Sequence, residues 1–113
     1  MTKAEMVQAI LAADSACPEL KAAAQSYLDA AGTPGETAAV QALIAECKED
    51  VLKCADVVAF MQTDAAKAQL GEELAAQILA HEQALLDSGA EYCDCTGCTA
   101  GKRVLDNQAL FVE

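Results

Sequence analysis

Apolar residues recur at intervals of three and four positions along most of the chain, which is the spacing of one face of an α-helix. A first helix is predicted to begin after Thr2, because a threonine followed three residues later by Glu5 forms a capping box. This helix is predicted to end near Asp14. Pro18 suits the first turn of a second helix, and Gly32 lies where the C-terminal cap of that helix belongs.

The same pattern predicts helices over the rest of the chain. Residues 33–36 provide the start of a third helix, whose inner positions include Cys47 and Cys54, with a break expected between Lys48 and Asp50. Further helices are predicted over residues 64–70, over about 72–88, and through the last part of the chain. No stretch alternates between apolar and polar residues as a strand does. The sequence therefore predicts an all-α, single-domain helical bundle of five or six helices, covering residues 1–113, with a cysteine-rich metal loop before the last helix.

The amino-acid composition indicates how the core of the predicted helical bundle is built. Hydrophobic residues make up 54% of the 113 residues, and 26 of them are alanines. A chain of this length can form one hydrophobic core without disulfides. Because large side chains are few, we expect the helices to approach one another closely.

The charge of the chain excludes several partners. The formal net charge is −11, from 18 acidic and 7 basic residues. Such an acidic protein repels nucleic acid and anionic lipid, and no apolar run approaches the roughly 20 residues that span a bilayer. The first residues lack the pattern of a secretory signal. We therefore expect a cytoplasmic protein whose cysteines are reduced.

The candidate chemistry is concentrated in one short segment. Residues 93–98 read Cys-Asp-Cys-Thr-Gly-Cys, and His81, the single histidine of the chain, precedes them by twelve positions. Three thiolates and one imidazole match the ligand set of a tetrahedral zinc site. The sequence therefore predicts that His81, Cys93, Cys95 and Cys98 bind zinc. Cys98 is expected near the start of the last helix, where the helix dipole favours the thiolate.

The fourth ligand is less well defined than the three cysteines. His81 falls on an apolar stripe with Leu74, Ile78 and Leu85, which is also the position of an ordinary core histidine. Asp94 offers an oxygen inside the loop, although a solvated turn residue is the simpler interpretation. Cys47 or Cys54 would complete a site of four thiolates, although each also fits a small buried side chain.

Other uses of the same cysteines remain open at this stage. An iron–sulfur cluster takes thiolate ligands, although its usual spacings differ from this one. A dithiol redox switch, a metal sensor and a metal carrier use the same chemistry. The sequence contains no catalytic triad, phosphate-binding glycine loop or His-Glu-x-x-His motif, so we do not expect an enzyme. The predicted function is that of a zinc-binding module for interaction or stress response, with no identified protein partner and no defined oligomeric state.

Four segments together resemble a small uncharacterised family of helical, cysteine-rich proteins of anaerobic bacteria: Leu20–Gln25, Ala42–Glu46, Ala80–Glu82 and Tyr92–Cys95. The resemblance covers nearly the whole chain and implies the same site pattern at His81 and the three loop cysteines. Members are often labelled as the ninety-kilodalton heat-shock chaperone, an ATPase whose length and nucleotide motif this sequence lacks. Where the relatives tend to have a proline in the cysteine loop, this chain has Thr96 and Gly97, which make the loop less rigid.

Overall fold

The structure, a computed structural model, describes residues 1–112 and consists of helices joined by short turns. Eight helices lie within these residues, and seven of them have seven or more residues. In chain order they are α1 (Lys3–Ala12), α2 (Pro18–Ala30), α3 (Glu36–Asp50), α4 (Cys54–Met61), α5 (Asp64–Leu70), α6 (Glu72–Asp87), α7 (Thr96–Asp106) and α8 (Gln108–Phe111). No strand occurs in the described part of the chain, which confirms the prediction of an all-α protein.

The predicted number of five or six helices is too low. The break expected within residues 48–50 falls slightly later, because Val51 has an extended backbone (φ −75°, ψ 113°) that ends α3. Lys53 is also extended (φ −87°, ψ 141°), so Cys54 begins a separate helix, α4. Asn107 (φ −119°, ψ 26°) then divides the last predicted helix into α7 and α8.

The chain forms two compact units. The first unit contains Met1–Val51 and the chain from Asp94 onward, and the second unit contains Leu52–Cys93. That residues 1–113 form a single domain stays a prediction. No helix within residues 1–112 has both the length and the hydropathy needed to cross a membrane.

The first unit is held together by an apolar core that α1, α2, α3, α7 and α8 share. Its buried residues are Met6, Val7, Ile10, Leu20, Ala24, Tyr27, Val40, Leu43, Cys47, Ala100, Val104 and Phe111. The capping box predicted for α1 is present, since the backbone amide of Glu5 donates to the Thr2 hydroxyl at 3.1 Å and the amide of Thr2 donates to the Glu5 carboxylate at 2.9 Å. The rings of Tyr27 and Phe111 meet edge to face, with centroids 5.5 Å apart.

Small residues bring the start of α7 against the turn between α1 and α2. Gly97 and Gly101 are buried on α7. The amide of Gly97 donates to the Ser15 hydroxyl oxygen at 2.7 Å, and the hydroxyls of Ser15 and Thr96 lie 3.0 Å apart. Because a side chain at Gly97 would overlap the backbone of Ala16, this contact depends on glycine. It fixes the first turn of α7, which contains the last cysteine of the loop.

The second unit consists of α4, α5 and α6. Its buried side chains are Cys54, Val57, Val58, Ala66, Ala75 and Glu82. Thr63 caps α5 by accepting a hydrogen bond from the amide of Ala66 at 3.2 Å, as its position before Asp64 predicts. Gly71, with φ +85°, allows the sharp change of direction between α5 and α6.

Candidate metal centre

Three sulfur atoms lie close together in the loop that leads into α7. The Sγ atoms of Cys93, Cys95 and Cys98 are all within 4.8 Å of one another. A zinc ion with Zn–S bonds of about 2.3 Å in a tetrahedron holds its sulfurs about 3.8 Å apart, so small side-chain rotations suffice to reach that spacing. Cys98 is buried, and the other two cysteines are half-buried. The loop therefore contains a triad of cysteines close enough to hold one metal ion.

Backbone pairing fixes the beginning of this loop. The amide of Cys93 donates to the carbonyl of Leu52 at 2.9 Å, and the amide of Cys54 donates to the carbonyl of Glu91 at 2.9 Å. An isolated antiparallel bridge lies between these two hydrogen bonds. Since a single bridge is too short to produce an alternating pattern, the sequence analysis did not find it. The pairing gives the backbone of Cys93 a defined position.

The N-terminus of α7 organises the other two cysteines. Cys95 is the N-cap residue, and its sulfur accepts a hydrogen bond from the amide of Cys98 at 3.3 Å. The hydroxyl of Thr99 donates to the carbonyl of Asp94 at 3.2 Å, which closes the turn. Amide donors and the positive end of the helix dipole stabilise negative charge on sulfur. The start of α7 therefore favours thiolates, the form of cysteine that binds metals.

His81, the predicted fourth ligand, lies in α6 with an exposed side chain. The structure brings the three loop cysteines together and does not group His81 with them. Leu74, which shares an apolar stripe with His81, is 45% exposed, whereas Ala75 of the neighbouring stripe is 1% exposed. The buried face of α6 is therefore one residue further along, on Ala75 and Glu82. The role of His81 as a ligand stays a prediction.

Glu82 is a residue that the sequence analysis missed. Its side chain is 3% exposed, and it is the one polar or charged residue that is buried within residues 1–112. Its Oε2 atom has no hydrogen-bond partner among the described residues, a state that costs about 1–3 kcal/mol for a buried polar group. A carboxylate oxygen of Glu82 lies within 4.8 Å of the Cys93 sulfur. The signal in the sequence was the second stripe of α6, which contains Ala75, Leu79, Glu82 and Leu86.

A second group of ligand-type atoms lies in the first unit. The Cys17 sulfur and carboxylate oxygens of Glu46 and Asp50 are within 4.8 Å of one another, and the Cys17 thiol donates to Asp50 Oδ2 at 3.1 Å. Burial, together with this hydrogen bond, raises the pKa of Cys17. A hydrogen bond with Asp50 raises the pKa of Glu46. Within this group the hydrogen bond between the Cys17 thiol and Asp50 links the start of α2 to the end of α3.

Cys47 and Cys54, the alternative thiolate ligands, are both completely buried. Cys47 lies in the core of the first unit, and Cys54 begins α4 in the second unit. Burial, with the nearby charges of Asp50 and Glu46, raises the pKa of the Cys47 thiol to about 12. Cys47 therefore has the properties of a small apolar core residue.

This raised pKa predicts how the Cys47 thiol reacts. At pH 8 we expect iodoacetamide to modify Cys93 and Cys95 in the metal-free protein well before Cys47, because the reactive species is an accessible thiolate. Peptide mass spectrometry after timed labelling measures the order. Cys47 is expected to react only at the rate of unfolding, and addition of urea is the control that exposes it. Labelling of Cys47 as fast as Cys93 without urea would contradict the prediction.

Three further charged residues lie in or near the loop. Asp94 is exposed, and one of its carboxylate oxygens lies within 4.8 Å of the Cys93 sulfur. Lys102 forms an ion pair with Asp106 at 2.8 Å, one turn further along α7. Arg103 is half-buried in the last turns of the same helix.

Comparison of the chain with models of known protein families, with curated proteins and with solved structures found no match.

Proposed function

We propose that this protein binds one zinc ion through Cys93, Cys95 and Cys98, and that the ion has a structural role. The observation that supports the proposal is the approach of three sulfurs within 4.8 Å of one another in a single loop. Three thiolates from six consecutive residues suit a soft or borderline ion. A fourth ligand from the protein closes the tetrahedron and leaves no position for a reacting water molecule. The sequence predicts His81 for that place.

A zinc ion at this position would restrict the conformation of the loop. It joins Cys93, whose backbone is paired with Leu52, to Cys95 and Cys98 at the start of α7. The binding free energy of a structural metal contributes to folding, because the unfolded chain does not hold the ligands together. The ion would therefore hold the loop and the first turn of α7 in one conformation. We propose that the acidic surface of the protein binds a partner, so that the protein is an interaction module rather than an enzyme.

Elemental analysis of protein purified without oxygen and without chelators tests this proposal. We expect one zinc per chain and no visible absorption. Iron with visible absorption would instead indicate a cluster on the same cysteines. Protein without metal, with a reversible disulfide in the loop, would contradict the proposal and favour a thiol redox switch, since Cys93 and Cys95 are both accessible to solvent.

Substitution of the core cysteines provides a matched control. We expect Cys47→Ser and Cys54→Ser to retain one zinc per chain, because each side chain is fully buried in a core position. Metal content per folded chain, measured after gel filtration, checks this prediction. Loss of zinc from one of these variants would assign the fourth ligand to that cysteine.

A further inference from the structure

We infer that a groove along α4 binds the apolar face of a basic, amphipathic helix from a partner protein. This inference rests on the interaction role proposed above and deepens it, because it names the surface and the chemistry of the partner. It requires no metal ion. Three observations carry it: the apolar lining of the groove, its dimensions, and the charge of the unit that contains it.

The groove is lined by apolar side chains with a single charged residue among them. Leu52, Val57, Phe60 and Met61 are its apolar residues, and Asp56 is the charged one. Val57 is buried, whereas Leu52 is 47% exposed and Phe60 is 40% exposed. Large apolar side chains that lie together in contact with solvent mark an interaction surface. All five residues belong to the second unit, so the groove is complete within that unit.

The dimensions of the groove suit the side chains of a helix better than a small molecule. Its volume is about 290 Å³, which lies below the range of most small-molecule pockets, and such pockets also need several polar groups to orient the ligand. The lining extends from Leu52, just before α4, to Met61, the last residue of this helix. A helix of eight residues is about 12 Å long. About two turns of an amphipathic helix, with apolar side chains three and four positions apart, match this length.

The charge of the second unit selects a basic partner. Residues 52–93 contain seven acidic residues and two lysines. One of these lysines, Lys53, forms an ion pair with Glu91 at 3.6 Å, and Asp56 is exposed at the groove. Lysine or arginine residues beside the apolar face of a partner helix would complement this charge. A second copy of the chain is a poor occupant, because two chains with a net charge of −11 repel each other.

Two synthetic peptides test the chemistry of the partner. Each has about 15 residues, enough to form a helix, with leucine and phenylalanine on one helical face. The first has lysines on the other face, and the second has glutamates in their place. Fluorescence anisotropy measures their binding to the full wild-type chain. We expect the lysine peptide to bind about 10-fold more tightly or better, and its affinity to fall with added salt. Equal binding of the two peptides, or no binding, would overturn the inference.

A matched pair of leucine variants tests whether the groove is the binding surface. Leu52→Ala shortens a side chain that lines the groove, whereas Leu74→Ala shortens a leucine of the same unit that is 45% exposed and does not line it. We expect Leu52→Ala and Phe60→Ala each to weaken binding of the lysine peptide by about 10-fold or more, as loss of a central apolar anchor does, and Leu74→Ala to change it by less than about 2-fold. Equal losses in Leu52→Ala and Leu74→Ala would indicate unspecific attraction to an acidic protein and would overturn the inference.

Measurements on the wild-type protein complete the test. Addition of the lysine peptide should shift amide NMR signals mainly within residues 52–61, and shifts confined to other residues would contradict the inference. Sedimentation equilibrium without peptide should show no dimer that depends on the groove. A dimer that Phe60→Ala dissociates would assign the groove to a second copy and overturn the inference. Zinc content of the same samples keeps the two proposals separate: protein with one zinc that ignores the peptide contradicts this inference alone, whereas protein that binds the peptide without zinc contradicts the metal site alone.

Discussion

Replacing Gly97 by alanine is expected to destabilise the protein by about 3 kcal/mol or more, which is the upper range of costs for overpacking a core. A Cβ atom at this position would lie 2.7 Å from the backbone nitrogen and 2.8 Å from the Cα atom of Ala16. These are main-chain atoms, so the overlap is relieved only by moving α7 away from the turn between α1 and α2. That movement also strains the hydrogen bond from the Gly97 amide to Ser15, which is 2.7 Å long. Urea denaturation of the metal-free protein, followed by far-UV circular dichroism, measures the loss.

Gly101→Ala is the matched control for this prediction. A Cβ atom at Gly101 would lie 2.8 Å from Cγ2 of Val51, which is a side-chain atom, so a rotation of Val51 about χ1 relieves the overlap at a cost of about 0.5–1.5 kcal/mol. Alanine also gains up to about 1 kcal/mol over glycine inside a helix. The net change in the free energy of unfolding should therefore stay within about 1 kcal/mol. Equal losses in the two variants would show that the backbone contact of Gly97 is not the cause.

The helix boundaries were predictable wherever a local interaction determines them. The capping box of Thr2, the proline at position 18 and the threonine cap at position 63 all act within a few residues, and the structure confirms each of them. The pairing of Cys93 with Leu52 was not predictable, because it joins residues that are distant in sequence through backbone atoms alone. The division of the last helix at Asn107 has no strong sequence signal either.

The cysteine triad was predictable because its three members lie within six residues, so the loop itself limits their separation. The buried face of α6 was not predictable, because two stripes of residues along this helix have the same spacing. One stripe contains Leu74, Ile78, His81 and Leu85, and the other contains Ala75, Leu79, Glu82 and Leu86. Each has three apolar residues and one polar residue, so periodicity cannot rank them. The packing of the second unit buries Ala75 and Glu82 of one stripe, whereas the leucine and isoleucine residues of both stripes after Leu74 are half-buried.

Cys95→Ser is expected to change stability in opposite directions with and without zinc. Cys95 is the N-cap of α7, where its sulfur accepts a hydrogen bond from the Cys98 amide at 3.3 Å. A serine hydroxyl is among the preferred N-cap groups, so the metal-free variant should be as stable as the wild-type protein or more stable, by up to about 1 kcal/mol. Serine is a poor zinc ligand at neutral pH, because its hydroxyl stays protonated. The variant should therefore lose the stabilisation that zinc provides.

The size of that loss follows from mass action. Free zinc at a thousand times its Kd adds about 4 kcal/mol to the stability of a protein that binds it only when folded, which corresponds to an increase in Tm of about 15 °C for a chain of this length. Calorimetry of the wild-type protein with and without zinc should show this increase, and Cys95→Ser should show almost none. Cys17→Ser is the matched control, because Cys17 is the N-cap of α2 and lies outside the loop. A full zinc-dependent increase in the Tm of Cys17→Ser, with none in Cys95→Ser, would show that the loss comes from a missing metal ligand and not from a changed helix cap. A full increase in the Tm of Cys95→Ser would remove this cysteine from the metal site.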